Sequence, residues 1–139
     1  MEALFILVLV SFALHLAWER THIVLYTGYE KMKEWLPVFV AASLGDVMYT
    51  FFAISLISLF KGTIFWFLSA NTMDYIGLAL VGFFIAVFVE YKAMVSNRWE
   101  YTPRMPRFWG LGATPLIQMT VLLPLTVYIT VKITRLLVA

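Results

Sequence analysis

The sequence predicts an all-α fold, a polytopic membrane protein in which four transmembrane helices form a bundle and the fourth helix is kinked. Of the 139 residues 63% are hydrophobic and only 13% are charged, with a mean hydropathy of +0.90. Soluble domains usually hold about 45–50% apolar and about 25% charged residues. Four apolar stretches are each long enough for a helix to cross the hydrocarbon core, which takes about 20 residues. They are continuously apolar rather than alternating, which favours helices over barrel strands.

The same composition excludes several functional classes. The chain has no cysteine, so disulfides, iron–sulfur clusters and thiolate metal sites are excluded. Its ten Lys and Arg residues and net charge of +2 are too dispersed for a nucleic-acid partner. The length allows a single transmembrane domain, residues 1–139. Membrane lipids are the expected partners, and a homo-oligomer or a larger membrane complex stays open.

The first two predicted helices cover residues 3–26 and 37–60. No positive charge precedes the first stretch and no small-residue cleavage site follows it, which favours a retained helix over a signal peptide. Pro37 suits the first turn of the second helix, where a missing N–H costs nothing.

The third and fourth predicted helices cover residues 73–95 and 112–131. An aromatic segment, residues 63–68, precedes the third helix, and we expect it to lie along the membrane interface. Prolines and glycines make the connection over residues 96–112 non-helical, and Pro124 is expected to kink the fourth helix.

The distribution of Lys and Arg predicts the orientation. Loop 1 joins helices 1 and 2, and loop 3 joins helices 3 and 4. These loops and the adjoining helix ends hold seven basic residues: Arg20, Lys31, Lys33, Lys92, Arg98, Arg104 and Arg107. The opposite side of the membrane holds three: Lys61, Lys132 and Arg135. The positive-inside rule therefore places loops 1 and 3 in the cytoplasm and both termini outside, in what we expect to be a prokaryotic inner (plasma) membrane.

Polar residues at helical spacing predict a site between the helices. Helix 1 carries five polar residues along one stripe: Ser11, His15, Glu19, His22 and Tyr26. Helix 2 carries three polar residues on one face: Ser43, Asp46 and Thr50. Helix 3 contributes Glu90, and helix 4 contributes Thr114 and Gln118. Ionisable groups are costly in lipid and usually face the bundle interior. At about 1.5 Å rise per residue, Glu19, Asp46, Glu90 and Gln118 lie roughly 8–14 Å below the cytoplasmic helix ends.

This common depth predicts a polar pocket that opens towards the third connection. Glu19, Asp46 and Glu90 are the candidate catalytic groups, because a pair of buried carboxyls suits proton transfer. An interhelical ion pair that only holds the bundle together is an equally open interpretation. The candidate ligand-binding residues are Arg98, Gln118, Tyr26, Trp18, Trp99 and Tyr101.

The basic and aromatic residues of loop 3, the connection over residues 96–112, allow two interpretations. Arg98 is close enough in sequence to Glu90 to fold over the pocket mouth, and arginine suits a phosphate or carboxylate. The plainer interpretation is that the arginines are the inside-positive signal and the tryptophans the interfacial belt.

His15, Glu19 and His22 are weak candidates for metal ligands. Glu19 and His22 match half of the di-iron carboxylate pattern, which needs two such motifs. The alternative is that the histidines hydrogen-bond to neighbouring helices, and no cofactor is identified.

The expected ligand is a lipid or an isoprenoid-type molecule, which the pocket binds or processes. Two alternatives are a proton-coupled transport or channel component, in which the same acids relay protons, and a structural or assembly subunit of a membrane complex.

Several short motifs resemble those of an uncharacterised family of small four-helix bacterial integral membrane proteins. The motifs run through nearly the whole chain: Trp18-Glu19, Gly45-Asp46, Glu90, Arg98-Trp99-x-Tyr101, Met105-Pro106, Gly110-x-Gly112 and Thr114-Pro115-Leu116-x-Gln118. The resemblance implies a four-helix membrane architecture and no established reaction. His15 and His22 lie outside the pattern.

Overall fold

The computed structural model describes residues 2–28 and 35–138, and this part of the chain is all-α with four long helices. They are α1 (Glu2–His22), α2 (Trp35–Lys61), α3 (Thr72–Val95) and α4 (Ala113–Val138). All four are long and apolar enough to cross a membrane, with candidate spans of 24 to 26 residues. The predicted all-α, four-helix class is therefore confirmed.

Two helix ends differ from the predicted bounds. α1 ends at His22 rather than at residue 26, and a 3₁₀ turn, Ile23–Leu25, follows it. The chain then becomes extended because Tyr26 forms a β-bridge with Tyr101. α4 continues to Val138 rather than residue 131, since no proline or glycine follows residue 131.

The four helices pack in the ring order α2, α1, α4, α3. α4 packs along both α1 and α3, α1 packs along α2, and α2 and α3 have much less contact with each other. Gly82 allows α3 to approach α4 closely, because a Cβ there would overlap the carbonyl oxygen of Met119. The side between α2 and α3 is therefore the most open side of the bundle.

The apolar core occupies the end of the bundle near the α2–α3 connection. Its fully buried members include Leu7, Ile54 and Leu123. A second 3₁₀ segment, Ile64–Ser69, also contributes Phe67 and its neighbour Trp66. These two rings are buried against the bundle, and the expectation that residues 63–68 lie along the membrane interface stays a prediction.

The start of α3 is fixed by a capping box and an ion pair. Asn71 accepts a hydrogen bond from the backbone N–H of Asp74, and the Asp74 carboxylate accepts one from the backbone N–H of Asn71. Lys61, the last residue of α2, contacts the Asp74 carboxylate at 2.7 Å. These contacts tie the end of α2 to the first turn of α3.

The α3–α4 connection, residues 96–112, is non-helical, as predicted, and ends in a small hairpin. Its strands are β1 (Arg107–Phe108) and β2 (Leu111–Gly112), and the turn has positive φ at Trp109 and Gly110. Two backbone hydrogen bonds, at 2.8 and 2.9 Å, join the connection to residues 25 and 27 after α1. The α3–α4 connection is thereby held at the same bundle end as the C-terminus of α1. Lys31 and Lys33, which enter the predicted charge count, lie outside the described residues.

Candidate functional site

The polar stripe of α1 faces the bundle interior. Ser11 and His15 are fully buried, and Glu19 and His22 are 8% and 5% exposed. On α2, Ser43 and Thr50 are likewise buried, while Asp46 is partly exposed. The three- and four-residue spacing brings these side chains to one side of each helix.

Gln118 of α4 joins the polar groups of α1 and α2. Its amide nitrogen lies 2.9 Å from Asp46 Oδ2, 3.2 Å from Glu19 Oε1 and 3.0 Å from His15 Nδ1. The two carboxyl groups, on different helices, therefore converge on one amide. We call Glu19, Asp46, Gln118 and His15 the polar cluster.

A second layer of hydrogen bonds extends from the polar cluster into the bundle. His15 Nε2 lies 3.4 Å from the hydroxyl of Thr50, which donates to the backbone carbonyl of Asp46 at 3.0 Å. Ser11 donates to the same hydroxyl oxygen at 3.2 Å. His15 therefore contacts Gln118 through Nδ1 and Thr50 through Nε2, and its tautomer decides which nitrogen donates.

A cavity of about 610 Å³ lies beside the polar cluster, at the bundle end where the α3–α4 connection lies. Seven of the nine predicted catalytic and ligand-binding residues line it: Glu19, Tyr26, Asp46, Glu90, Arg98, Trp99 and Gln118. Trp18 and Tyr101 do not line it. Small residues of α2, Ala41, Ala42 and Gly45, leave the space for the cavity.

Glu90 shares the cavity wall but has hydrogen-bond partners of its own. Tyr101 donates its hydroxyl proton to Glu90 Oε2, and the backbone N–H of Gly112 donates to the same oxygen at 3.2 Å. Trp99 Nε1 in turn donates to the Tyr101 hydroxyl at 2.9 Å. Burial and the adjacent Glu90 carboxyl raise the pKa of Tyr101, so it stays a protonated donor at neutral pH. The Glu90 carboxyl therefore anchors both ends of the α3–α4 connection.

The Tyr101→Phe substitution should loosen the α3–α4 connection, because it removes the donor that joins this connection to α3. A hydrogen bond to a charged acceptor is worth about 1.5–3 kcal/mol. We expect amide hydrogen exchange over residues 99–112 to accelerate roughly tenfold or more, since 1.4 kcal/mol is a factor of ten. Exchange measured by mass spectrometry tests this, with Tyr91→Phe as the matched control, because Tyr91 is 62% exposed on α3. Equal exchange in both variants would show that the hydroxyl does not hold the connection.

Aromatic rings form a continuous cluster beside the cavity mouth. The Tyr26 ring packs at 5.4 Å from His22, 6.2 Å from Trp99 and 5.2 Å from Tyr101. Trp18 packs against the outer side of His22 at 6.1 Å. Tyr101 thus packs directly against Tyr26 of the cavity wall, and Trp18 packs against His22, which in turn contacts Tyr26.

The weak metal candidates do not converge on one point in the structure. The Nδ1 atom of His22 donates to the Trp18 carbonyl, and its Nε2 lies 4.0 Å from Glu19. His15 faces Gln118 and Thr50 instead. Over residues 2–28 and 35–138, no group of three His, Cys, Asp or Glu side chains has the geometry to hold a metal ion.

An apolar groove lies between α2 and α3, and the sequence did not predict it. It has a volume of about 650 Å³ and is lined by Met48, Tyr49, Phe52, Leu56, Val81, Phe84, Ile85, Phe88 and Val89. Tyr49, Ile85 and Val89 line both the groove and the cavity, so the two spaces are adjacent. Nothing in the sequence distinguishes these residues from other apolar residues that face outwards.

Comparison with protein-family models, curated proteins and solved structures finds no match to this chain. The resemblance to small four-helix bacterial membrane proteins therefore stays a prediction.

Proposed function

We propose that the chain is an integral membrane protein with both termini outside and with loops 1 and 3 in the cytoplasm of a prokaryotic cell. Large apolar side chains point outwards along the helices, such as Met48 (73% exposed) and Phe84 (66% exposed). Such surfaces are unfavourable in water and suit lipid. Phe108 and Trp109, exposed at the hairpin turn, suit the headgroup region. Within α4, Pro124 leaves the Thr120 carbonyl without its helical N–H partner, and we propose a kink there.

We infer that the cavity binds a lipid or isoprenoid-type amphiphile. The observation that carries this inference is that an apolar groove between α2 and α3 lies directly beside a cavity with polar groups, and that the two share Tyr49, Ile85 and Val89 in their walls. Ligand sites are mostly apolar clefts of about 300–1,000 Å³ with a few convergent polar groups. An amphiphile could enter from the bilayer with its chain in the groove and its head at the polar cluster.

The residues around the head have distinct proposed roles. Glu19 and Asp46 are the acid/base or charge-stabilising groups, because their carboxyls face the cavity from two helices. Gln118 and Tyr26 orient the ligand. Arg98 is exposed at the entrance and packs over the Trp99 ring at 5.5 Å. Glu90 contributes a third carboxyl to the wall and supports the α3–α4 connection.

The Gly45→Leu substitution tests this proposal by filling the cavity. A Cβ on Gly45 meets no atom within 4 Å, so the leucine side chain has room to occupy the space beside Asp46. We expect the purified parent protein to retain one tightly bound amphiphile per chain in native mass spectrometry. The variant should retain at least tenfold less, with its folding unchanged.

The matched control is Gly77→Leu. Gly77 is also a helical glycine with no atom within 4 Å of a Cβ, but it lines neither the cavity nor the groove. Equal retention by parent, Gly45→Leu and Gly77→Leu would contradict the proposal, because annular lipids alone would account for the bound mass.

Proton relay is the second candidate function, and the chain of hydrogen bonds favours it. Groups that exchange protons run from Asp46 through His15 to Thr50 and Ser11, and the Glu19 carboxyl lies beside Asp46 at the Gln118 amide. In liposomes, a relay predicts proton flux for the parent that Glu19→Gln reduces, because glutamine cannot accept a proton. Parent liposomes without flux above the protein-free level would eliminate this candidate.

A further inference from the structure

The polar cluster has more hydrogen-bond acceptors than donors. The Gln118 amide has two N–H groups. Three polar atoms lie within 3.2 Å of its nitrogen: Asp46 Oδ2, Glu19 Oε1 and His15 Nδ1. At least one of the three is therefore without a proton from Gln118, and each carboxyl has a second oxygen that can also accept. A molecule that enters the cavity next to this cluster finds acceptors to bind.

The two carboxyls also have no cationic side chain beside them apart from histidine. Asp46 lies 3.4 Å from His15, and Glu19 lies 4.0 Å from His22. Among the residues that the structure describes, no Lys or Arg nitrogen lies within 4.0 Å of either carboxyl. No permanently charged cation of the described residues therefore offsets this pair, and a cationic ligand group would do so.

The two kinds of charge in the cavity lie at different depths. The Glu19 carboxyl is almost completely buried and the Asp46 carboxyl is partly buried, whereas Arg98 is exposed beside Trp99 at the entrance. A phosphate at the inner end would face two carboxyls, and like charges in a buried site repel strongly. An ammonium group at the same place would form charge-assisted hydrogen bonds to both.

The groove fits the remainder of such a molecule. Its lining is almost entirely apolar, and it begins where the cavity ends, at Tyr49, Ile85 and Val89. From Asp46 to Leu56 along α2 the distance is about 15 Å at 1.5 Å per residue. An alkyl chain attached to a head at Asp46 would therefore lie against α2 and α3 over most of the groove.

We propose that the ligand is an amphiphile with a primary ammonium head, which binds between Glu19 and Asp46 with its alkyl chain in the α2–α3 groove. This proposal rests on the proposed lipid-binding function and adds the chemical class of the head group. The ammonium supplies three N–H donors to a cluster that has more acceptors than donors, and it places one positive charge beside the two carboxyls. Arg98 at the entrance is left for any anionic group farther along the head.

A displacement experiment tests the head-group class on the full-length protein. Dodecylamine, dodecanol and dodecyl phosphate have the same chain and different heads. Each is titrated against the parent protein with its retained amphiphile, and displacement is followed by native mass spectrometry. We expect dodecylamine to displace the bound molecule at a concentration at least tenfold below that of dodecyl phosphate, with dodecanol between them.

Two variants show whether the carboxyls cause this order. Combined Glu19→Gln and Asp46→Asn should remove the preference for dodecylamine, whereas Glu100→Gln, an exposed acid outside the cavity, should keep it. The comparison on the parent alone is decisive should the double variant not fold.

The possible failures are distinguishable. If dodecyl phosphate displaces the bound molecule at the same concentration as dodecylamine, and Gly45→Leu still lowers retention, the head-group proposal is overturned. The proposal of a lipid-binding site is then unaffected. A preference that persists in the folded double variant would also overturn it. No retained amphiphile and no adduct of any of the three probes would overturn the lipid site itself.

Discussion

Replacing Gly82 by leucine should prevent α3 and α4 from packing and so abolish the folded bundle. A Cβ at this position would overlap the backbone carbonyl of Met119 and come within 3.3 Å of a Leu123 methyl group. Backbone cannot move aside as a flexible side chain can, so the two helices would have to separate. Overpacking of a core typically costs 1–3 kcal/mol, and a clash with backbone should exceed about 3 kcal/mol. Loss of the monodisperse peak in size-exclusion chromatography is the measurement.

Gly77→Leu is again the matched control, since it makes the same substitution on the same helix without a neighbour within 4 Å. Leucine is also the better helix former by about 0.8–1 kcal/mol, so helix propensity alone would stabilise both variants. A Gly82→Leu protein that unfolds no more easily than Gly77→Leu would show that α3 and α4 do not approach as closely as described.

Gln118→Met should destabilise the bundle by about 3 kcal/mol or more. Methionine has a similar length but no N–H, so it leaves Glu19, Asp46 and His15 without their shared donor. Each buried polar group that loses its partner costs about 1–3 kcal/mol, and charged groups cost more. The free energy of unfolding, from denaturant titration in mixed micelles, measures the effect.

Thr120→Val provides the comparison on the same helix. The Thr120 hydroxyl donates to the Leu116 carbonyl within α4 and joins no other helix. We expect this variant to lie within about 0.5 kcal/mol of the parent, as most substitutions away from special features do. A Gln118→Met variant as stable as Thr120→Val would mean that the three helices do not depend on this amide.

Helical periodicity was sufficient to predict which polar residues face inwards. Ser11, His15, Glu19 and His22 recur every three or four residues, and in lipid such a stripe is stable only against other helices. The structure places all four in the interior. Equal depth on antiparallel helices likewise predicted that Glu19, Asp46, Glu90 and Gln118 would reach one cavity, and all four line it.

Partner choice inside the cavity could not be predicted in this way. Glu19 and Asp46 share Gln118, whereas Glu90 binds Tyr101 and Gly112. These pairings depend on how far each helix is rotated about its axis and on the path of the α3–α4 connection. The spacing of polar residues along one helix predicts neither of these. The burial of Trp66 and Phe67 was missed for a similar reason, because an aromatic segment suits an interface and a core equally well.

The class of this protein, four apolar helices with inward polar stripes, follows from the order of its amino acids, because hydropathy and helical period are properties of local sequence. The packing of the helices establishes that α2 and α3 have little contact, that the groove between them lies beside the cavity, and that one amide serves two carboxyls. Those features arise from distances between helices. Such distances are set by close contacts such as that of Gly82 with Met119, which connect residues far apart in the chain.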